Sequence, residues 1–559
     1  MYRADESMPV SPALDQLYKQ NGSVRKLAVN KRIVYLSVQA VINAVVIGLL
    51  AKMLVALIML ITNISFYGRF SFSEASPAFN HLGYGVLLVP VIGSLLVGVL
   101  ARYGSKAIRG HGIPEAMEKI IMDDSKIPPA ITFLKPLSAA ISIGTGGPFG
   151  AEGPIIATGG AFGSLTGQVM HISAAERKII LAAGACAGMS AIFGSPLAAI
   201  LLAIELLLFE FSPRSIIPVA LACATGAAMH LLLFESRPVF FTDNIPLPSV
   251  PGLALYTLLG TFIGVIAALL SKSVYAVEDL FEKLPLHWMW WPAIGAIAVG
   301  VTGYFAPYTM GVGYDNIQQL LTGTLPLTIV LSLCFLKYIS WVIALGSGTS
   351  GGTLAPIFTI GGACGALMGI GLLHFFPSLP INLPTAALIG MAAMFAGASR
   401  AFLTSVLFAL ETTGQLNGLL PLLGACGAAY LISFFLMKGS IMTEKIRRRG
   451  VHTPDAYEPD VLQTTQVATL MTAATGNETD HPFVFATDDA GLAAEVMGRH
   501  QCDTLTVLDK RSKQPVGIIT TAAIIHFYSS RKRKDQQYAS PGRTRRLMVR
   551  GRNLVRKRT

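Results

Sequence analysis

Apolar segments long enough to cross a lipid bilayer recur through most of the chain. A helix needs about 20 apolar residues to cross the hydrocarbon, and residues 33–64, 84–101, 253–270 and 386–410 are examples of such segments. Of the 559 residues, 52% are hydrophobic and only 13% are charged, which is outside the range of ordinary soluble domains. The sequence therefore predicts an integral membrane protein with about ten or more membrane helices.

The flanks of the apolar region predict how the chain sits in the membrane. Residues 1–30 are polar and lack a short apolar stretch with a cleavage site, so we expect no removable signal peptide. Basic residues precede the first span, and Lys445, Arg447, Arg448 and Arg449 follow the last one. By the positive-inside tendency both termini lie in the cytoplasm, after an even number of crossings of the cell membrane.

The apolar region contains an internal repeat. A shift of 202 residues lays residues 133–167 over 335–369 with 16 of 35 positions identical, and a shift of 206 lays residues 196–205 over 402–411. Identities alone leave the relative direction of the halves open. The predicted fold class is an all-α membrane protein with a two-fold internal repeat of broken helices, which we expect to be inverted, plus a small α/β cytoplasmic module.

Hydropathy and charge divide the chain into five parts. Residues 1–30 form a cytoplasmic segment, 31–450 the membrane domain, 451–466 a linker, 467–530 a soluble module and 531–559 a basic disordered tail. The tail has twelve Lys or Arg residues against one acid, Asp535, which gives a net charge of +11. Because stacking aromatics are nearly absent there, anionic lipid head groups are its expected partner and nucleic acid is not.

The chemistry-bearing segments are three glycine-rich breaks in apolar sequence. The first break is Gly-His-Gly-Ile-Pro at residues 110–114, the second is Gly-Ala-Glu-Gly-Pro at 150–154, and the third is Gly-Thr-Leu-Ala-Pro at 352–356. A helix start presents free N–H groups and the positive end of its dipole to an anion, and glycine lets the backbone approach closely. The repeat equates the second and third breaks, so we expect them to meet near the repeat axis.

An acidic residue at such a break is a functional candidate. Glu152 is flanked by glycine-rich sequence at a predicted helix start inside an apolar span, where an ionisable group is costly. The alternative is a helix-capping carboxylate on the surface. No pair among the six cysteines has metal-ligand or disulfide spacing, so no metal site is predicted.

The three breaks, in this order, resemble the signatures of the CLC family of chloride channels and proton/chloride exchangers, over residues 31–450. The resemblance implies that chloride or a similar small anion is transported and that Glu152 is the gate. It also implies a homodimer in which each subunit has its own pore. The anion contacts that it implies are Gly110, His111, Gly112, Ile113, Ala151, Gly153, Thr353, Leu354, Ala355 and Met442.

Several positions depart from the family pattern. His111 stands where a serine is common, and either the imidazole contacts the anion or only the backbone around it does. Ala151 replaces a Lys or Arg, Leu354 a phenylalanine, and Met442 a tyrosine. A looser or less selective inner end of the pathway follows from these changes.

The predicted helix that contains residues 196–206 bears on proton coupling. Exchangers of the family end this helix with two adjacent acids, whereas this chain has Glu205 followed by Leu206, and a leucine cannot carry a proton. We therefore expect channel-like conduction, with a proton-coupled chloride antiporter as the alternative. Glu205 remains a candidate for a proton pathway, and a structural carboxylate at a helix end is the competing interpretation.

Two lysines precede equivalent glycine-rich segments. Lys135 and its repeat mate Lys337 would raise the local potential for anions. The competing interpretation is that each side chain snorkels to the membrane interface.

The soluble module weakly resembles one CBS motif, with residues 490–498 helical and residues 504–508 and 517–519 as strands. Adenosine nucleotide is a candidate ligand only across a dimer, and dimer support without ligand is the alternative; no other cofactor is expected. A cation-coupled transporter of small solutes is a more distant alternative. An enzyme is not expected, because no zinc-protease motif or nucleophile–base pair is present.

Overall fold

The computed structural model describes residues 31–234, 237–242, 245–450, 462, 465–473, 482–510 and 512–539. The chain divides into two compact units, Met1–Asp455 and Ala456–Thr559. The predicted cytoplasmic segment 1–30, nearly all of the linker and residues 540–559 of the predicted tail lie outside the described residues.

The first half of the membrane unit is helical from Lys31 onward. Its helices are Lys31–Tyr67, Val89–Tyr103, Ile113–Met122, Ile131–Gly144, Glu152–Val169, Ala174–Phe193, Pro196–Leu202 with a π-helical continuation Ala203–Leu208, and Pro213–Leu233. Helices begin directly at Ile113 and Glu152, so the first two predicted breaks are helix starts.

The second half repeats this order. Its helices are Val250–Glu282, Trp291–Phe305, Tyr314–Thr322, Leu327–Leu331 continuing through Ser332–Leu336 into Lys337–Gly346, Leu354–Phe375, Leu383–Ser399, Phe402–Thr413 and Leu419–Leu436. A short helix, Glu444–Arg448, follows. The third break is again a helix start, at Leu354.

The number of long helices is smaller than hydropathy alone indicates. Among the described residues, seven helices are long and apolar enough to cross a membrane, and four shorter apolar helices, Ile131–Gly144, Pro196–Leu208, Leu383–Ser399 and Phe402–Thr413, accompany them. The sequence segment 386–410, which looks like one span, is two of these helices. The chain turns between them at Arg400, whose φ is 62°.

Glycines let helices of each half pack back to back. A Cβ atom on Gly159 would lie 2.3 Å from the carbonyl oxygen of Gly184, and a Cβ atom on Gly361 would lie 2.6 Å from that of Gly390. These are equivalent pairs under the sequence repeat. Because no side chain separates the backbones, the helices that carry the second and third breaks are held in matching positions.

Two carboxylates show how the halves are oriented. Glu205 accepts hydrogen bonds from the N–H groups of Leu403 (2.9 Å) and Thr404 (2.9 Å), and its repeat mate Glu411 accepts from those of Leu197 (2.9 Å) and Ala198 (2.8 Å). Each acid near the end of one helix therefore caps the start of the other, which requires the helices to run antiparallel. The two-fold relation reverses helix direction, so the repeat is inverted as expected.

The second unit is a small α/β structure. Its sheet has the strand order β1-β4-β3-β2, with β1 Thr472–Ala473, β2 Phe483–Phe485, β3 Thr504–Leu508 and β4 Pro515–Thr520. Helix Ala490–His500 connects the parallel strands β2 and β3 in a βαβ unit. The predicted helix and both predicted strands are present. The last helix, Thr521–Ala539, runs past the predicted start of the tail at Arg531.

Candidate functional site

The three breaks meet in space. The N–H and C=O groups of Gly150 and Gly352 exchange two hydrogen bonds of 3.2 and 3.0 Å, and the N–H of Gly110 donates to Thr349 O at 3.0 Å. A Cβ atom on Gly153 would come within 2.1 Å of the carbonyl oxygen of His111. The helix starts of both halves therefore converge on one point, where their positive dipole ends add.

The predicted anion contacts at the breaks are buried there. Ile113, Ala151, Leu354 and Ala355 are at most 1% exposed, and Thr353 is 1% exposed. Among the described residues, no hydrogen bond uses the N–H groups of Thr353 and Leu354, and they stand at the first turn of Leu354–Phe375. Such N–H groups can bind an anion in place of its water.

The first break uses two of its N–H groups internally. Gly110 donates to Thr349, and Gly112 donates to Glu115 Oε2 at 2.7 Å. The N–H groups of His111 and Ile113 are then the donors left at this break in the described structure. Gly110 and Gly112 contribute the turn itself, because their φ angles of 103° and 98° are open only to glycine.

Glu152 lies at the centre of this arrangement. It is the first residue of helix Glu152–Val169 and is 0% exposed. Its Oε1 accepts a hydrogen bond from the hydroxyl of Tyr314 at 2.8 Å. The backbone N–H of Ala355, at the third break, stabilises the negative charge of the same carboxyl group. Its Oε2 lies against Gly150, where a Cβ atom would come within 1.7 Å. Through its interaction with Ala355, the carboxyl group reaches the third break, beyond its own helix start.

Besides Oε2 of Glu152, two buried polar atoms at the breaks lack a protein partner in the described structure. These atoms are Nδ1 of His111, which is 5% exposed, and Oγ1 of Thr353. A buried unpaired polar atom costs about 1–3 kcal/mol unless a ligand or water satisfies it. Their position beside Glu152's break makes them candidate ligand contacts.

The two lysines hold the backbone of the breaks. Lys135, 1% exposed, donates from Nζ to the carbonyl oxygens of Ile108 and Gly110, both at 2.8 Å, and Lys337, 0% exposed, donates to Thr309 O at 3.2 Å. Neither side chain snorkels to an interface. By drawing carbonyl oxygens towards themselves they fix the peptide dipoles of the neighbouring turns.

Among the described residues, no hydrogen bond joins the three breaks to either Met442 or Glu205. Met442 is buried, and its N–H donates to Ser440 Oγ at 3.2 Å. No described contact joins it to the three breaks, so its anion contact stays a prediction. Glu205 also accepts from Thr404 Oγ1 at 2.6 Å, so its carboxylate caps a helix, and a role with protons stays a prediction.

Sequence reasoning missed a fourth break. Residues 311–314, Gly-Val-Gly-Tyr, precede helix Tyr314–Thr322, and Gly311 and Gly313 have φ angles of 65° and 73°. A shift of 201 residues lays Gly110 over Gly311 and Gly112 over Gly313. The signal was therefore present in the repeat, one residue out of register with the shift that revealed the other breaks.

Comparison with known proteins gives concordant matches. The profile of the voltage gated chloride channel family matches residues 93–434. The chain is 30% identical over 400 residues to the H(+)/Cl(-) exchange transporter ClcA of Yersinia pestis bv. Antiqua (strain Angola), which covers 68% of this chain and 81% of that protein. It is 26% identical over 380 residues to the putative chloride channel protein ClcB-like of Ralstonia nicotianae (strain ATCC BAA-1114 / GMI1000), which covers 67% and 89%.

Solved structures share the fold. A slow cyanobacterial Cl-/H+ antiporter superposes with a TM-score of 0.65 at 24% identity, covering 73% of this chain and 97% of that one. A eukaryotic CLC transporter superposes with a TM-score of 0.60 at 17% identity, covering 86% and 97%. At these identities the likeness concerns the fold.

Proposed function

The chain belongs to the voltage gated chloride channel (CLC) family of multi-pass membrane proteins that transport anions, and from that premise we propose that it exchanges chloride for protons with Glu152 as the gate. The observation that carries the proposal is the convergence of three broken-helix starts on one buried carboxyl group. An anion and a carboxylate compete for the same N–H groups, so the gate is closed while Glu152 is ionised and seated.

Backbone dipoles supply the chloride site. The donors are the N–H groups of His111 and Ile113 at the first break and those of Thr353, Leu354 and Ala355 at the third, with Ala151 and Gly153 beside the gate. Partial charges replace part of the hydration shell without holding the ion as a row of lysines would. Met442 lines the inner end of the pathway.

Protonation of Glu152 opens the gate. When Glu152 takes up a proton its carboxyl group becomes neutral and no longer competes for the dipole ends, so chloride occupies the position and the side chain moves aside. Loss of the proton on the other side returns the carboxylate to its seat. Anions passing one way and protons passing the other make the movement an exchange.

Exchange is preferred over the channel-like conduction that Leu206 suggests. Relatives at 30% identity bear the name of H(+)/Cl(-) exchangers, and this supports exchange more strongly than one substituted position supports conduction. Passive conduction is the second candidate, favoured by Leu206, which is 3% exposed and carries no proton. Glu205 is a candidate for a proton route at that helix end, and its role as a helix cap is the competing interpretation.

The assembly is proposed from the resemblance. We place the protein in the cell membrane as a homodimer with one pathway per subunit and both termini in the cytoplasm. The second unit, with its βαβ arrangement, serves as a CBS-like module that supports the dimer or binds an adenosine nucleotide across it. The basic residues 531–559 bind anionic lipid head groups.

Flux measurements test the proposal. The full chain is reconstituted in liposomes, and proton uptake is followed while a chloride gradient is imposed. Exchange predicts proton movement against its own gradient, driven by chloride, and predicts that Glu152→Gln abolishes it while chloride still moves. Chloride flux without coupled protons in the parent protein would establish passive conduction instead, and the absence of any chloride flux would overturn both.

A further inference from the structure

Tyr314 contacts the gate from the opposite half of the repeat. Its hydroxyl donates to Glu152 Oε1 at 2.8 Å, across 162 positions of sequence. The residue begins helix Tyr314–Thr322 directly after Gly313, so the fourth break delivers it to the point where the other breaks meet. A hydrogen bond to an ionised carboxylate is stronger than one between neutral groups.

Aromatic packing fixes the position of this hydroxyl. The Tyr314 ring lies 5.8 Å from that of Phe193 and 5.7 Å from that of Phe240, in edge-to-face contacts. Phe193 in turn packs against Phe408 at 4.8 Å, and these three phenylalanines are at most 1% exposed. A ring held on several sides cannot follow the carboxyl group when the gate moves, so the hydrogen bond must break.

A cavity lies beside Tyr314. Its volume is about 460 Å³, and Ala151, Val312, Gly313 and Tyr314 belong to its lining. This volume falls within the range of about 300–1,000 Å³ that is typical of ligand pockets. Glu152 itself is 0% exposed and does not line it. Tyr314 therefore contacts both the cavity and the carboxyl group.

We propose that Tyr314 is a positioning residue that latches Glu152 in its seat, so that each opening of the pathway begins with loss of the Tyr314–Glu152 hydrogen bond. This inference rests on the proposed function, because it assumes that Glu152 moves. The latch is a property of one half only. The equivalent residue of the first half, Ile113, has no hydroxyl group.

The charged surroundings of the latch are limited. Among the described residues, Lys337 is the charged side chain that interacts electrostatically with Glu152, in addition to the hydrogen bond from Tyr314. Further out, the ionisable groups that line the cavity are Glu74, His230, Arg237 and Asp315. Removing the tyrosine hydroxyl changes none of these charges, so an effect of pH on the variant reports on the latch.

The test is Tyr314→Phe in the full chain, which keeps the ring packing and removes one oxygen atom. Loss of a hydrogen bond to a charged group corresponds to about tenfold or more in an equilibrium, so we expect chloride flux to rise by about tenfold. Because the ionised gate loses a donor, flux should also begin to rise on acidification at a higher pH than in the parent. Tyr338→Phe is the matched control, since that hydroxyl bonds Ser273 at 2.8 Å, away from the gate.

A double-mutant cycle separates the latch from the gate. In a Glu152→Ala background, Tyr314→Phe should have no further effect on flux. Equal rates and equal pH profiles for the parent and Tyr314→Phe, while Glu152→Ala still changes flux, would overturn the latch and leave the gate standing. If Glu152→Ala has no effect either, the proposed function fails. An equal effect of Tyr314→Phe with and without Glu152 would assign the tyrosine a structural role and also overturn the latch.

Discussion

Lys135 and Lys337 occupy equivalent places in the two halves but hold different amounts of backbone. Lys135 bonds two carbonyl oxygens and Lys337 bonds one. Replacing either by methionine leaves these buried acceptors without a donor, at about 1–3 kcal/mol each. We expect Lys135→Met to lower the thermal midpoint of the purified protein more than Lys337→Met does. Equal shifts, or the reverse order, would contradict the idea that the number of backbone hydrogen bonds sets the contribution of each lysine to stability.

The contact between the breaks leaves no room for a methyl group at Gly153. A Cβ atom there would lie 2.1 Å from His111 O and 2.9 Å from the Cα of Gly352. Gly153→Ala should therefore push the breaks apart and reduce chloride flux by about tenfold or more, since misplacement of about 1 Å at a site is costly. Gly371→Ala is the control, because nothing lies within 4 Å of its Cβ position. Parent-like flux in Gly153→Ala would count against convergence as the basis of transport.

His111 tests whether a side chain shares the anion site with the backbone. Its Nδ1 atom is buried and unpaired in the described structure. If the ring contacts the anion, His111→Ala should change the ratio of chloride to nitrate flux, whereas a ring that turns aside should leave this ratio unchanged. We expect the ratio to change, and anion-substitution flux assays measure it. His230→Ala is a control, because that Nδ1 lies 3.0 Å from Ala191 O.

Single residues were predictable where the repeat marked them. Gly150 and Gly352 came from one alignment shift, and the structure joins them by two hydrogen bonds. Tyr314 was not predictable in the same way, since its importance depends on a contact with a residue distant in sequence. No local pattern distinguishes a tyrosine that latches a carboxylate from one that packs in a core.

At the scale of helices, Glu205 and Glu411 form a reciprocal pair of caps. Replacing either by glutamine removes the charge that favours the opposing helix start, at about 1 kcal/mol. We expect Glu205→Gln and Glu411→Gln to lower the thermal midpoint by similar amounts and to keep the parent's proton-to-chloride ratio in liposome assays. Loss of coupling in Glu205→Gln alone would place Glu205 on the proton pathway.

Helix boundaries show what hydropathy can and cannot give. The apolar segments 33–64 and 253–270 lie inside the helices Lys31–Tyr67 and Val250–Glu282. The prediction of one span at residues 386–410 is wrong, because the turn at Arg400 lies in continuous apolar sequence. Its repeat mate, Gly194, has a φ of 61° and could have revealed the turn. The Arg400 side chain donates to the carbonyl oxygens of Ser433 and Met437, contacts that a local window of sequence does not contain.

At the scale of the whole molecule, the division into two units predicts that transport belongs to the first. Every residue of the proposed pathway lies within Met1–Asp455. A chain that ends at Asp455 should fold, judged by a single peak in size-exclusion chromatography, and should keep chloride flux in liposomes. A truncated protein that elutes normally but transports nothing would show that the second unit is needed for the pathway.

The overall architecture followed from the sequence more fully than its details did. Two related halves and a separate α/β module were expected and are present. The direction of the repeat was not readable from identities, and the reciprocal caps of the antiparallel helices resolve it. The preference for conduction over exchange rested on Leu206 alone, and the relatives at 30% identity favour the alternative.

The paired hydrogen bonds between Gly150 and Gly352 have a consequence for how such a gene can diverge after duplication. Each half of the repeat supplies one of the two glycines that are hydrogen-bonded to each other. A change in the backbone on one side is tolerated only if the backbone on the other side accommodates it. The backbones of the two halves are therefore coupled to each other at these two glycines. In a chimera that takes one half from a distant relative, we expect the first misfit at the contact between Gly150 and Gly352, before the outer helices clash.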